Sequence, residues 1–202
     1  MSKPAERPAP SPARRERLVV AAETLFSRHG LRAVTMAAIA AEAGLAKATV
    51  YAYFPDKEAL FRAVAERFAD ALLEAVEEGL RVEGGTAARI AAALIAKDRL
   101  VYRLITGTPH AGELFEARDR LVRELFEARD RLVRELFEDS DRRILARVTA
   151  ALGDGVARGV PAARLARILV RASRGLAARA ENADSLARDI EFTVLRLVDG
   201  AR

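Results

Sequence analysis

Residues 35–57, TMAAIAAEAGLAKATVYAYFPDK, predict two short helices joined by a tight turn. Thr35 is a favourable N-cap, and the Ala-rich run after it consists mostly of strong helix formers. Gly44 supplies the turn, and Phe54-Pro55 ends the second helix because the residue before a proline is disfavoured in the α region. Two helices joined by about three or four residues that include a glycine are typical of the helix-turn-helix, whose second helix enters the major groove of DNA.

The second helix, residues 47–54, is predicted to have an inner and an outer face. Val50 and Phe54 lie four residues apart and should pack inward, whereas the polar tips between them point away from the core. Hydroxyl and ammonium groups on the outer face can reach phosphate oxygens or base edges, and the alanines among them let the backbone approach the groove. An alanine-rich helical hairpin with two surface tyrosines explains the same pattern without DNA. The residues that we predict to contact DNA are Thr35, Ala46, Lys47, Ala48, Thr49, Tyr51, Ala52, Tyr53 and Lys57.

The run GLAKATVYAYFPDKEALF, residues 44–61, closely resembles the DNA-binding signature of the tetracycline-repressor (TetR) family of bacterial transcription regulators. Members of that family show a glycine, an apolar residue, a Ser-Lys-like pair, a threonine, an apolar residue, then Tyr-x-Tyr/His-Phe and Lys-Glu. The resemblance covers about residues 14–62. Ala46 departs from the pattern, because the family often has serine there, and the missing side-chain cap costs about 1 kcal/mol of local helix stability.

The resemblance implies an all-α protein whose N-terminal three-helix head carries the helix-turn-helix and whose C-terminal helical bundle binds a ligand and dimerises. The periodicity of apolar residues predicts about nine helices and no sheet, since nothing in the chain alternates like a strand. We divide the chain into a disordered arm (1–11), a helix-turn-helix domain (12–56) and a ligand-binding and dimerisation domain (57–202), in which residues 57–81 form the connecting helix.

Composition limits the possible functions. The chain of 202 residues is 51% hydrophobic, enough for a core, and has no cysteine for disulfide or thiolate chemistry. Its two histidines, His29 and His110, lack a nearby set of ligands, so we expect neither a metal nor another cofactor. No nucleotide-binding glycine loop or catalytic constellation is present, which argues against an enzyme. No apolar run approaches the ~20 residues of a membrane span, so we expect a cytoplasmic protein. The net charge of +5 is compatible with binding to nucleic acid.

The middle of the chain contains a tandem duplication. Residues 113–127, ELFEARDRLVRELFE, recur identically as residues 124–138, so that an 11-residue unit repeats. Eleven residues make three helical turns at ~3.67 residues per turn, which keeps the apolar stripe on nearly the same face. We predict one helix over residues 109–138, a break at Asp139-Ser140-Asp141, and a further helix over residues 141–157. The duplicated segment could serve as a contact surface in a helical interaction protein, which is the alternative function.

The resemblance also implies the partners. A regulator of this family is most often a repressor, and a small-molecule ligand releases it from its DNA operator. We expect the operator to be palindromic, the protein to be a homodimer and the effector to be hydrophobic. Pocket residues proposed on this basis are Tyr102, His110 and Phe115. The last two helices are expected to form the dimer interface, although they could instead only close the core of one chain. Their interface residues would be Leu165, Ile168, Leu169, Ala172, Leu176, Ile190, Val194 and Leu197.

Overall fold

The computed structural model describes residues 11–106, 131–153 and 160–200. Within these ranges every regular element is a helix, which confirms the predicted all-α fold. The helices are α1 (Pro12–Ala33), α2 (Met36–Glu42), α3 (Lys47–Tyr53), α4 (Lys57–Leu80), α5 (Thr86–Thr106), α6 (Arg131–Leu152), α7 (Ala162–Ala177) and α8 (Ala183–Asp199). None of these helices combines the length and the apolar character that crossing a bilayer requires.

The chain forms two compact units, Met1–Arg67 and Phe68–Arg202, and their boundary falls inside α4. We call them the amino-terminal and the carboxy-terminal unit. The amino-terminal unit therefore includes the first part of α4. The boundary predicted from the sequence, after residue 56, places all of α4 in the second domain. The reason lies in packing, since Leu60 and Phe61 at the start of α4 are buried. The Phe61 ring meets Phe26 of α1 edge to face, with 5.9 Å between the ring centroids.

The core of the amino-terminal unit is built from one apolar stripe of each helix. α1 contributes Leu18 and Val19, α2 contributes Ile39, and α3 contributes Val50, all of which are buried. Gly30 has a φ of 74°, a conformation that residues with a Cβ rarely adopt, and it interrupts α1 near its carboxyl end. The helix-turn-helix is thus held from behind by α1 and by the first turns of α4.

The core of the carboxy-terminal unit lies between α5, α6, α7 and α8, and the buried face of α4 adds to it. α5 and α8 pack against each other along their length, and α7 packs on both of them and on α6. Fully buried side chains from these helices include Val76, Ile90, Leu94, Val148, Leu186 and Ile190. The hydrophobic effect stabilises this arrangement, at about 25 cal/mol for each Å² of apolar surface removed from water.

α6 contradicts the predicted break at residues 139–141, because the helix runs through them without interruption. Asp139, Ser140 and Asp141 favour caps in isolation, but burial, a hydrogen bond within the helix and a contact with α7 hold them in the helix. Ser140 is buried, Asp139 accepts a hydrogen bond from Arg142 at 3.1 Å, and both carboxylate oxygens of Asp141 accept from Arg174 of α7 at 2.7 and 2.8 Å. The predicted break was therefore wrong.

The carboxyl end of α6 also differs from the prediction, which ran to residue 157. The helix ends at Leu152, and Gly153 follows with a φ of 63°. A glycine in this conformation is the usual stop after a helix. Eight helices are found in the described ranges instead of the nine predicted for the chain. The first copy of the duplicated segment, and most of the helix predicted over residues 109–138, lie outside the described residues.

Candidate nucleic-acid interface

The turn between α2 and α3 forms as its sequence predicts. The Thr35 hydroxyl caps α2 by accepting a hydrogen bond from the backbone N–H of Ala38 at 3.1 Å. Gly44 has a φ of 61°, and Leu45 N–H donates to the carbonyl of Ala40 at 2.9 Å, which closes the carboxyl end of α2. Ala46 then begins α3 without a side-chain cap, as the sequence indicates.

Two apolar side chains fix the orientation of α3. Val50 is completely buried and Phe54 nearly so. The Phe54 N–H donates to the carbonyl of Val50 at 2.9 Å, and the Arg15 guanidinium of α1 lies over the Phe54 ring, 5.3 Å from its centroid. Such a cation–π contact contributes roughly 0.5–1 kcal/mol at an exposed site. The inner face of α3 is therefore the predicted one.

The opposite face of α3 is open to solvent. Lys47, Ala48 and Ala52 are exposed, and Tyr51 is 48% exposed. Thr49 is half-buried beside them. One ammonium and one phenol are thus presented on a helix whose other exposed residues are alanines. This surface has the size and chemistry to reach base edges and phosphates in a major groove.

Tyr53 has a second role that the sequence did not indicate. Its phenolic oxygen accepts a hydrogen bond from the backbone N–H of Ser11 at 2.6 Å, and the side chain is half-buried. Ser11 is the N-cap of α1, where backbone N–H groups lack partners within the helix. Tyr53 therefore ties the start of α1 to the end of α3, and its own hydroxyl hydrogen can still be donated outward.

Lys57 and Thr35 also lie at the edge of this surface. The Lys57 ammonium donates to the carbonyl of Val34 at 3.0 Å, which holds the entry to α2 against the start of α4. Thr35 and Ala46 are exposed at the amino ends of α2 and α3. All the predicted DNA-contacting residues thus lie in the amino-terminal unit, seven of them at the start of α3 or within it and Thr35 and Lys57 at the amino ends of α2 and α4.

Arg17 of α1 was not among the predicted site residues. Its guanidinium donates from Nη2 to the carbonyl of Ala43 at 2.6 Å, at the carboxyl end of α2. A cation there neutralises the partial negative charge of a helix end. The signal in the sequence was the cluster of arginines in the first turns of α1, namely Arg14, Arg15 and Arg17.

Of the residues predicted for an effector pocket, Tyr102 is the one that lies in the described part of the chain. Tyr102 of α5 is half-buried, and its hydroxyl donates to the carbonyl of Glu181 at 3.2 Å. His110 and Phe115 lie outside the described residues. Across the described ranges, no cluster of three or more His, Asp or Glu side chains is arranged to hold a metal ion.

The residues predicted for the dimer interface divide into two groups. Leu165, Leu169, Ile190 and Val194 are buried in the core of their own chain, so their side chains are not available to a second copy. Ile168 is 43% exposed and Leu197 is 37% exposed, while Ala172 and Leu176 are half-buried. Phe192 of α8 is 64% exposed and was not predicted. The apolar surface of α7 and α8 is thus narrower than the predicted one.

This arrangement, a solvent-facing helix that follows a capped helix and a glycine turn, defines a helix-turn-helix protein. Residues 18–64 match the family described as bacterial regulatory proteins, tetR family. The chain is 34% identical over 77 residues to the nucleoid occlusion factor SlmA of Pasteurella multocida, and 35% identical over 102 residues to the HTH-type transcriptional activator FasR of Mycolicibacterium smegmatis. The similarity to the tetR family therefore lies in the amino-terminal helices of the chain, over residues 18–64.

The two alignments have a limited extent. The SlmA alignment covers 38% of this chain and 39% of SlmA, and the FasR alignment covers 48% of this chain and 47% of FasR. The chain thus spans less than half the length of these curated relatives. Similarity of fold extends further: a TetR-like transcriptional regulator from Rhodococcus sp. RHA1 has a TM-score of 0.65 and 22% identity, with 96% of this chain and 100% of the other covered.

Proposed function

We propose that the chain is a sequence-specific DNA-binding transcriptional regulator. The observation that carries this proposal is the outer face of α3, where Lys47 and Tyr51 project from among small alanines while Val50 and Phe54 fix the helix from behind. The side chains proposed to contact DNA are Thr35, Ala46, Lys47, Ala48, Thr49, Tyr51, Ala52, Tyr53 and Lys57. Arg15 and Arg17 support this surface by contacting the carboxyl ends of α3 and α2.

The regulator would act as a homodimer on a palindromic operator. One recognition helix reads too few base pairs for specificity, and two-fold symmetric proteins read two half-sites separated by one or more turns of DNA. Exposed apolar side chains on α7 and α8, namely Ile168, Phe192 and Leu197, are the candidates for the contact between the two copies. They lie in the carboxy-terminal unit, whereas α3 lies in the amino-terminal unit.

A small molecule that binds the carboxy-terminal unit would release the protein from its operator. Such a ligand can shift the equilibrium between two states only by its difference in affinity for them, and the usual coupling corresponds to about 5–150-fold in DNA affinity. The protein would thus be a ligand-responsive repressor that works in the cytoplasm, and not an enzyme. Its family and fold are those of regulators, with no positive indication of catalysis.

The proposal is tested by selecting bound fragments from the source genome and measuring their affinity by fluorescence anisotropy as salt is varied. Affinity should fall steeply as salt rises, because each phosphate contact releases a counterion. Lys47→Ala should lower the salt slope by about one and weaken binding to all sequences, if Lys47 contacts phosphate. Tyr51→Ala should weaken binding by about 1–3 kcal/mol and relax the preferred sequence, if Tyr51 contacts bases.

The matched control is Arg28→Ala, which removes one exposed positive charge from the same unit at the far end of α1. Its affinity and salt slope should stay close to those of the unchanged protein. If Lys47→Ala and Tyr51→Ala both bound the selected fragments as the control does, the assignment of α3 as recognition helix would be wrong. If the affinity for the selected DNA fragments did not change with salt, the alternative function would be favoured, namely a helical interaction protein that uses residues 113–138 as its contact surface.

A further inference from the structure

The start of α1 lies at the carboxyl end of α3. Ser11 is the first residue that the structure describes, and its backbone N–H donates to the hydroxyl of Tyr53, the last residue of α3, at 2.6 Å. The Ser11 nitrogen is covalently joined to the carbonyl carbon of Pro10. Residues 1–10, which we call the amino-terminal segment, are therefore attached to the folded unit beside the end of α3.

Two further contacts hold this attachment point against the helix-turn-helix. The Arg15 guanidinium lies 5.3 Å from the centroid of the Phe54 ring, and Phe54 follows α3 directly. Arg17 Nη2 donates to the carbonyl of Ala43 at the carboxyl end of α2, at 2.6 Å. The first two turns of α1 thus contact the carboxyl ends of α2 and α3, so the amino-terminal segment starts at a fixed place relative to α3.

The surface around α3 offers few positive charges to DNA. Its two ammonium groups are those of Lys47 and Lys57, and Lys57 also donates to the carbonyl of Val34. A steep salt dependence of DNA binding corresponds to about six to ten neutralised phosphates, or about three to five for each copy of a dimer. Two ammonium groups fall short of that number, so further cations near α3 are needed.

The amino-terminal segment contains two such cations. Its sequence is MSKPAERPAP, in which Lys3 and Arg7 each stand directly before a proline. A residue before proline is disfavoured in the α region and favours extended conformations. A fully extended chain spans about 3.3–3.6 Å per residue, so Arg7 can lie up to about 13–14 Å from Ser11 and Lys3 up to about 26–29 Å. Both lengths are shorter than one turn of DNA, which is about 34 Å.

We propose that Lys3 and Arg7 bind phosphates of the DNA that flanks the half-site read by α3. In helix-turn-helix proteins the N-terminal residues of the recognition helix contact the base edges. The opposite end of α3, where the amino-terminal segment is attached, then lies nearer the edge of the groove. Contacts of Lys3 and Arg7 with phosphates add affinity without reading sequence. This inference rests on the proposed function, because the partner is the same DNA.

Two DNA fragments and one double variant test the proposal. The selected operator is compared with a version that lacks about one turn of flanking DNA on each side. Fluorescence anisotropy at several salt concentrations should show that the unchanged protein binds the long fragment more tightly and with a steeper salt slope. Lys3→Gln with Arg7→Gln should abolish most of this preference. It should also lower the slope on the long fragment by about 1.8 for each copy bound, since one phosphate contact contributes about 0.9.

Two further variants control for charge. Arg28→Gln with Arg179→Gln makes the same change in net charge at exposed arginines outside the amino-terminal segment, and it should keep both the preference for the long fragment and the salt slope. Glu6→Gln removes the acid of the segment and should tighten binding to the long fragment, because Glu6 repels the phosphates that Lys3 and Arg7 attract. Circular dichroism checks that every variant is folded.

The contact of the amino-terminal segment and the regulatory function can fail separately. If Lys3→Gln with Arg7→Gln kept the preference for the long fragment, or if the arginine control lost it equally, the contact would be overturned. The proposed function would still stand if binding depended on Lys47 and Tyr51. If no fragment bound at all, both would be overturned. If exchanging A·T for G·C pairs in the flanks abolished the preference, the assignment to phosphates would be wrong, since such a dependence indicates contacts with base edges in the minor groove.

Discussion

Glu23 of α1 shows the competition between burial and ion pairing at a single residue. Its Oε2 lies 3.2 Å from Nε of Arg67, and the same guanidinium also contacts Glu16. Burial nevertheless raises the pKa of Glu23 above its ordinary value of 4.5. Removal of the carboxylate from water therefore outweighs the attraction of Arg67, whose charge is shared between two acids and is partly screened by solvent.

The raised pKa of Glu23 determines how the stability of the protein changes with pH. Above its ordinary pKa, Glu23 binds more protons in the folded than in the unfolded state, so its contribution to stability is fully present below 4.5 and is lost as pH rises through the folded pKa. We expect Glu23→Gln to remove this loss. The free energy of unfolding of Glu23→Gln relative to the unchanged protein should rise with pH, by less than about 1 kcal/mol because the group is partly exposed.

Urea unfolding at a series of pH values measures this difference. Glu66→Gln, which removes an exposed carboxylate from the same unit, serves as the control for the change in net charge. If the difference in free energy of unfolding between Glu23→Gln and the unchanged protein stayed constant with pH, or fell as pH rose, the pKa of Glu23 would not be raised in the folded protein.

Two helices of the carboxy-terminal unit, α4 and α5, approach so closely that Gly79 leaves no room for a side chain. A Cβ added at Gly79 would lie 2.3 Å from the Cα of Ala93, which is closer than real Cβ atoms come to backbone. Backbone atoms cannot move aside as a flexible side chain can. We expect Gly79→Ala to lower the free energy of unfolding of this unit by about 1–3 kcal/mol, although alanine is the better helix former.

Thermal or urea unfolding checks this prediction. Gly175→Ala in α7 is the matched control, because a Cβ at Gly175 meets nothing within 4 Å and its φ is not positive. That variant should be neutral or slightly stabilising. Equal stability of Gly79→Ala and Gly175→Ala would show that α4 and α5 are not in such close contact.

The helices also show which boundaries a sequence can predict. α2 and α3 follow the prediction because their limits are set locally, by the Thr35 cap, by Gly44 and by the residue before Pro55. The continuity of α6 was missed because its support includes contacts that only the fold makes, namely the burial of Ser140 and the ion pair of Asp141 with Arg174, 33 residues away along the chain. Helix propensity depends on residues that are close in the sequence, so it contains no information about a partner that is close only in the folded structure.

At the scale of the whole molecule, the residues around α3 were predictable because the motif is short and regular. Their supporting contacts were not, since the hydrogen bonds of Tyr53 to Ser11 and of Arg17 to Ala43 join residues 42 and 26 positions apart. The same limit applies to α7 and α8. Periodicity marks Ile168 and Leu169 alike as apolar, but the structure buries Leu169 and exposes Ile168.

Exposed apolar residues on α7 and α8 lead to the last prediction, which concerns assembly. Ile168 is 43% exposed and Phe192 is 64% exposed, with the Arg196 guanidinium over the Phe192 ring at 5.5 Å from its centroid. If these side chains are central to a contact between two copies, Ile168→Glu and Phe192→Glu should each weaken dimerisation by roughly 30-fold or more, because a buried anchor typically contributes at least 2 kcal/mol.

Sedimentation velocity over a range of protein concentrations measures dimerisation directly, and a palindromic fragment compared with its half-site measures the consequence for DNA binding. The unchanged protein should bind the palindromic fragment more tightly than the half-site, and the variants should lose this difference. Their affinity for the half-site should stay the same, because α3 is unchanged. Val82→Glu is the control, since Val82 is an apolar residue of similar exposure, 43%, outside α7 and α8. Dimerisation that was unaffected by both substitutions, or weakened equally by Val82→Glu, would place the interface elsewhere on the chain.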